Sequence, residues 1–342
     1  MKNSIYLLSS TIFDVEKFHL CTWDVRNHYS FVEVGMCIKN RNDLPSQIRI
    51  ILAAPFITSK CKIRSLHESF NDSDNYRFIF NEIPASINAI GEGKREGSIV
   101  RLSSPENNNQ TYLMANANTK FINTGLLEIK IDKANVSVDN IYVRLLIRTN
   151  LNTIAEVIPG IAKQSYIFDI KINEVRNIPD NVSDHKRDNH LIFLKVNTAY
   201  CLHCVPDNYD IAFADASKVK NIRKLEKDAF QKYLPELKTL DGDYIIIFIK
   251  YKEGSGSYSF FTTFSKEVVG NKQLLVAIVT NLLCSLLFAI AAFRVIKNEN
   301  KEWYLQIPIE WWIAGGLVLF GALICLPICS IIKQCWNAHK DN

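Results

Sequence analysis

Methionine, proline and glycine are scarce in this chain, at 3, 10 and 13 of 342 residues. It has no internal repeat and no long low-complexity tract, which excludes a solenoid or an extended linker protein. A bias toward charge of one sign is also missing. The net charge of +5 is spread along the chain, whereas a nucleic-acid binder gathers Lys and Arg on one face. Direct nucleic-acid binding is therefore not expected. No Ser-His-Asp order, HExxH or paired-carboxylate pattern stands out, so any catalytic group would have to assemble from distant positions. Cys21, Cys37 and Cys61 lie scattered among strand-like segments without a disulfide framework, as in a reducing compartment. The sequons at Asn71, Asn109, Asn135 and Asn181 are what an Asn-rich chain yields by chance. The opening MKNSIYLLSSTIFDVEKFHL breaks its apolar stretch at Ser9 and Ser10 and offers no small-residue cleavage site. It reads as a first strand, which leaves the soluble part in the cytosol.

Two long apolar runs dominate the C-terminal quarter. Residues 273–293 read QLLVAIVTNLLCSLLFAIAAF and residues 311–332 read WWIAGGLVLFGALICLPICSII, with no charged side chain in either. Each has the roughly 20 residues that a helix needs to cross about 30 Å of hydrocarbon. The expectation is a two-helix transmembrane hairpin over 271–334, with a short tail over 335–342. Trp303, Tyr304, Trp311 and Trp312 suit one membrane interface and Trp336 the other. Lys252, Lys266 and Lys272 before the first run, and Lys333 and Lys340 after the second, outnumber Arg294, Lys297 and Lys301 between them. That balance puts both termini on the cytoplasmic side of the inner membrane. Ala277, Asn281, Cys284 and Ser285 fall on one stripe of the first run, and Ala314, Gly321, Cys325 and Cys329 on one face of the second. Small residues let helices approach closely in lipid, so these stripes are expected to pack the hairpin and drive homo-oligomers. Asn281 is the strongly polar group inside a run, a hydrogen-bond donor across helices or along a pore.

The first 175 residues read as β. Segments at 29–38, 47–56, 76–80, 98–102, 121–131, 141–149 and 165–172 are apolar or alternating, and turn-rich stretches separate them. An antiparallel β-sandwich or barrel is the expected fold of residues 1–175. A polar linker or loop follows at 176–190. An α+β unit at 191–270 then has a helix expected over 217–237 and a hairpin from 244–250 and 258–264, which joins the first apolar run with almost no slack.

Chemistry-bearing residues are few. Cys201-Leu202-His203-Cys204 is the metal-like constellation; zinc would take Cys201, His203 and Cys204, although no second Cys-x-x-Cys stands in the soluble part. A redox use needs the pair at a helix start, and Pro206-Asp207-Asn208 favours a turn instead. Ordinary buried thiols are the simpler reading. Lys60, Lys62 and Arg64 alternate along one segment, and Arg144 and Arg148 are four apart on a strand, hence on one face. Lys94 and Arg95 sit in a glycine-rich tip that precedes a strand rather than a helix, so it is no P-loop. These cations would suit an anionic, nucleotide-like ligand.

Two uses compete. In one, a cytosolic β-rich sensor controls a membrane module that opens a pore or disrupts the bilayer. This layout resembles that of two-pass effectors of bacterial antiviral defence, whose soluble domain senses a nucleotide signal. In the other, the hairpin only tethers a module that recruits a protein partner. A membrane-bound enzyme using Cys201 and Cys204 is a third.

Overall fold

The computed structural model describes residues 4–24, 30–91, 97–102, 110–133, 136–160, 163–225, 227–236, 243–252, 257–268, 277–278 and 280–289. Met1–Glu267 form one compact unit and Val268–Asn342 a second.

The first unit is built from two mixed sheets with few helices. In the nine-stranded sheet, β1 (Ser4–Ser9), β4 (Gln47–Ala53), β10 (Leu126–Asp132) and β9 (Ala117–Asn123) follow one another. On the other side of β1 lie β13 (Lys163–Ile172), β19 (Tyr258–Glu267) and β16 (Tyr209–Ala214). Two short strands join off this path: β12 (Glu156–Ile158) on β13 and β14 (Ile192–Phe193) on β1. The ten-stranded sheet is centred on β2 (Asp14–Asp24), β3 (Ser30–Lys39) and β11 (Asn140–Thr149). It continues past β11 through β8 (Thr111–Ala115), β7 (Gly97–Arg101) and β6 (Ser86–Ile90). It continues past β2 through β15 (Lys195–Pro206), β18 (Tyr244–Lys252) and β17 (Val219–Leu225), and β5 (Lys62–Ser65) adds to β11.

The expected all-antiparallel arrangement does not hold, because β1 with β13, β2 with β15 and β8 with β11 pair in parallel. Both sheets draw strands from before and after 176–190, so the chain on either side of that segment shares one framework. The segment is not an open linker either. Asp180–Asp188 form a helix, α2, whose Val182 is buried with Tyr6, Leu8, Ile51 and Ala53 on the outer face of the nine-stranded sheet.

Alternation explains the core. Phe18 and Leu20, Val32 and Val34, Val143 and Leu145, and Ile247 and Ile249 meet Ile5 and Leu7, Ile50 and Leu52, Ile129 and Ile131, and Phe260 and Phe264 between the sheets. Period-2 side chains put every second residue there. The intervening residues of the central strands of the ten-stranded sheet are buried too, the charged Glu33 and Arg144 among them, so those strands are covered on both faces. Phe70, Tyr76 and Tyr233 cover that outer face with Trp23, Phe31, Tyr142 and Tyr244. They come from a turn at His67–Asn71, a short helix α1 at Tyr76–Phe80 and a further helix α3 at Lys227–Tyr233.

Three local expectations are corrected by the fold. The segment at 76–80 is helix rather than strand, because Tyr76 and Phe80 stack against one another over the sheet. The helix expected over 217–237 is the edge strand β17 followed by α3, since pairing with β18 gives residues 219–225 ladder hydrogen bonds that an isolated amphipathic turn lacks. The strands β18 and β19 are not a hairpin: β18 pairs with β15 and β17, while β19 pairs with β13 and β16 in the opposite sheet.

In the second unit, residues 280–289 are helical, and the Ser285 hydroxyl donates to the Asn281 carbonyl at 2.9 Å. Ile278, Leu282, Leu283, Leu286 and Leu287 are exposed. Among the described residues no helix is long and apolar enough to cross a membrane. Residues 273–276, 279 and 290–293 of the first apolar run and all of the second, with Ala314, Gly321, Cys325 and Cys329, lie outside the described residues.

Candidate functional site

The two arginines of β11 meet different fates. Arg144 is 5% exposed and its Nε donates to Glu33 Oε2 at 2.6 Å. Glu33, fully buried, also accepts from Tyr233 Oη at 2.6 Å and from Trp23 Nε1 at 2.5 Å. Burial would pull the Arg144 pKa down, but the Glu33 carboxylate beside it carries it well above its ordinary value. Arg144 Nη1 donates to the Tyr142 hydroxyl at 3.0 Å, and that hydroxyl lies 3.1 Å from His19 Nδ1. Burial, then the nearby Arg144 charge, holds His19 well below its ordinary pKa, which keeps its ring neutral. Gly35 stands opposite both His19 and Arg144 in the ladders. A Cβ there would lie 2.6 Å from the Tyr142 hydroxyl and 3.0 Å from Arg144 Nη1. This cluster is a sealed polar knot, not a ligand face, and the expectation for Arg144 is corrected accordingly.

Arg148 is exposed at the end of the same strand. The antiparallel register of β5 on β11 sets Lys62 directly opposite it. Both line a cleft of about 580 Å³ with Lys60. Thr58, Ser59, Thr149, Asn150 and Thr153 supply hydroxyl and amide groups to the same cleft. Arg64 leans away, into an ion pair with Glu236 at 2.6 Å. Lys94 and Arg95 lie outside the described residues. The structure thus brings together Lys60, Lys62 and Arg148 of the expected cations. The polar residues around them gave no sequence signal, since serine and threonine in a loop are unremarkable until the fold places them.

The cleft wall continues into the framework. Thr149 Oγ1 donates to the Phe56 carbonyl at 3.0 Å and lies 3.1 Å from Thr153 Oγ1, while Thr153 Oγ1 donates to the Asn150 carbonyl at 2.6 Å. Ile154 and Ala155 then enter the core. The next residues are β12, paired with β13 from Glu156↔Ile167 to Ile158↔Ser165. In turn β13 pairs with β19 along its whole length, from Lys163↔Glu267 to Ile172↔Tyr258. Registers place the cleft and the C-terminal end of β19 at one end of the unit: Thr149 pairs with Ser30, Ser30 with Asp24, and Asp24 accepts from Tyr209 Oη at 2.6 Å, while Tyr209 pairs with Lys266.

The Cys-x-x-Cys residues lie within β15, not in a turn. An extended strand sends residues three apart to opposite faces. Cys201 belongs to the core between the sheets, with His203 Nε2 at 3.5 Å, and Cys204 to the outer core, with Cys21 Sγ at 3.7 Å. Cys201 and Cys204 therefore do not share an ion. No group of three or more His, Cys, Asp or Glu side chains among the described residues is arranged to hold a metal. Burial pushes both thiols well above their ordinary pKa, which keeps them protonated and poor nucleophiles. Burial likewise holds His203 down to about 3.

No protein-family model matches the chain, and no curated protein matches it.

Proposed function

We propose that the chain is a membrane-bound sensor: the β unit binds an anionic ligand in the Lys60/Lys62/Arg148 cleft and controls the apolar C-terminal segment. The observation that carries this reading is the continuous path from the cleft through β12 and β13 to β19, the last strand before the first apolar run. A ligand that tightens residues 148–153 draws on a ladder that ends at Glu267. The exposed leucines at 282, 283, 286 and 287 suit lipid or a second copy of the chain. In this reading the C-terminal segment is a two-pass hairpin in a cell (inner) membrane, with the β unit and the C-terminus cytoplasmic. Ligand binding rearranges homo-oligomers packed through the small-residue stripes, and the helices then breach the bilayer, as an effector of bacterial antiviral defence would.

Inducible expression in bacteria, read with a potential-sensitive dye, tests the membrane step. The expected result is depolarisation by the wild-type chain that Asn281→Leu weakens. A potential unchanged under every trigger, phage infection included, counts against a pore. Protease accessibility in intact cells tests the sidedness.

A second reading, a tether for a protein partner, draws on a groove of about 380 Å³ lined by Ile211, Phe213, Val219 and Ile222 where β16 and β17 form sheet edges. Exchange of the apolar segment for an unrelated two-pass anchor separates the two. Retained activity supports tethering.

A further inference from the structure

We infer that the open half of the outer face of the ten-stranded sheet binds single-stranded nucleic acid, with Tyr200 and Phe248 stacking on bases and Lys17, Lys220 and Lys250 meeting phosphates. The surface lies on β2, β15, β17 and β18, away from the cleft on β5 and β11. The roof over this sheet packs on Cys204 of β15, Ile246 of β18 and Trp23 of β2. Period 2 puts Tyr200, Phe248, Lys250, His19 and Lys17 on that same face. There the cover thins: Lys17, Tyr200, Phe248 and Lys250 are half-buried and Lys220 is exposed. The registers set Tyr200 between His19 and Lys250, and Thr198 beside Lys17. The Tyr200 and Phe248 ring planes lie within 16° of parallel, with centroids 5.8 Å apart. His19 stands at 87° to Tyr200, 4.8 Å away, which ties this platform to the buried knot.

The net charge is spread along the sequence, but the fold gathers it here. Strands β15, β17 and β18 carry Lys195, Lys220, Arg223, Lys224, Lys250 and Lys252 and no Asp or Glu. Lys224 is held by Asp207 and Asp243, and Glu16 sits at the bulge beside Lys17. Lys250 Nζ and Lys220 Nζ each lie 5.5 Å from a ring centroid, of Tyr200 and of Phe248. An exposed ammonium over a ring is weakly held. A nucleotide offers both partners a stronger match, its base for the ring and its phosphate for the ammonium. From β2 to β17 these groups cross four strands, about 14 Å, which suits a short run of nucleotides. A duplex hides its base faces, and an acidic peptide brings charge without flat rings.

Fluorescence anisotropy of the full chain in detergent micelles tests this with a labelled oligouridylate of about 15 nucleotides. The oligouridylate should bind, less tightly as salt rises. A duplex RNA and a polyglutamate of equal length should bind at least about tenfold more weakly. Tripolyphosphate at matched phosphate concentration, an anion probe for the cleft, should not displace it. Tyr200→Ala and Phe248→Ala should each weaken binding about five- to a hundredfold, whereas Tyr200→Phe keeps the ring and the affinity. Lys17→Ala/Lys220→Ala should flatten the salt dependence, and Lys62→Ala should change nothing. Melting curves establish that each variant is folded. Photocrosslinking of a 4-thiouridine oligonucleotide to the wild-type chain needs no variant, and its adducts should fall within 198–202 and 246–250. No binding of the oligouridylate would overturn the inference. So would duplex, polyglutamate or tripolyphosphate competing on equal terms, which would make the face a site for phosphates or acidic proteins alone. Adducts elsewhere, with Tyr200→Ala binding as the wild type does, would overturn it too. Each of these results leaves the reading of the cleft where it stands.

Discussion

Arg144 and Arg148 stand four residues apart on β11 and face the same side of the sheet, yet they inhabit different chemistry. Around Arg144 the sheet is roofed by the 67–80 segment and α3, and the cation's Nε and Nη1 meet partners within that cover: Glu33 on β3 and Tyr142 on its own strand. Around Arg148 the roof ends, the strand opposite is β5, and the residue in register is another cation. A buried charge must be paired to be tolerated. An exposed one can stand beside its like, because water screens the repulsion. Spacing along a strand reveals which face a residue takes, but only tertiary cover decides whether that face is structural or available.

The sharpest way to break this contrast is to remove the acid. Glu33→Ala strands Arg144 without a counter-charge and takes away the acceptor of Trp23 and Tyr233, for an expected loss of about 3–5 kcal/mol in denaturant unfolding. A loss below about 1 kcal/mol would mean that the knot is not sealed. Gly35→Ala is next. Its new methyl meets the ends of Tyr142 and Arg144, side chains already fixed by hydrogen bonds, and an overpacking cost of about 1–3 kcal/mol is expected in the same assay.

The pH dependence of stability sharpens the contrast further. His203 is held down to about 3 in the folded chain, against about 6.5 unfolded. Between those values the unfolded chain binds a proton that the folded chain does not. The stability is therefore fully present above about pH 6.5 and falls as pH drops, by up to about 1.4 kcal/mol per pH unit for this group. His19, also lowered by burial, adds to the same slope. Unfolding free energies at pH 5 and 7 should show a shallower slope for His203→Gln than for the wild type. The smallest expected effect is at the cleft. Lys62→Thr relieves a like-charge pair, so stability should rise by roughly 0.2–1 kcal/mol while tripolyphosphate binding weakens. A variant both less stable and still binding would make the cleft a piece of scaffold.

Much of the strand framework is legible from alternation. The segments expected at 29–38, 141–149 and 165–172 match β3, β11 and β13 within a few residues, because each carries one continuous apolar face at period 2. The parallel pairs and the division of β18 and β19 between sheets are not legible, since both depend on contacts far apart in sequence. A signal for the knot is nonetheless present. Glu33 and Arg144 are each a single charge in an otherwise apolar stretch of strand, and two such opposite charges at equal depth need one another. The cleft is half legible. Spacing picks out its cations but groups Arg144 and Arg64 with them, and the hydroxyls of 58–59 and 149–153 become a site only when β5 docks on β11.

The path from the cleft to the last strand is the central claim. Hydrogen–deuterium exchange of the full chain in lipid nanodiscs, with and without tripolyphosphate, tests it most directly. The prediction is slowed exchange that spreads from 58–62 and 148–153 through 156–158 to 258–267. Protection confined to the cleft residues, with β12 and β19 unchanged, would contradict it.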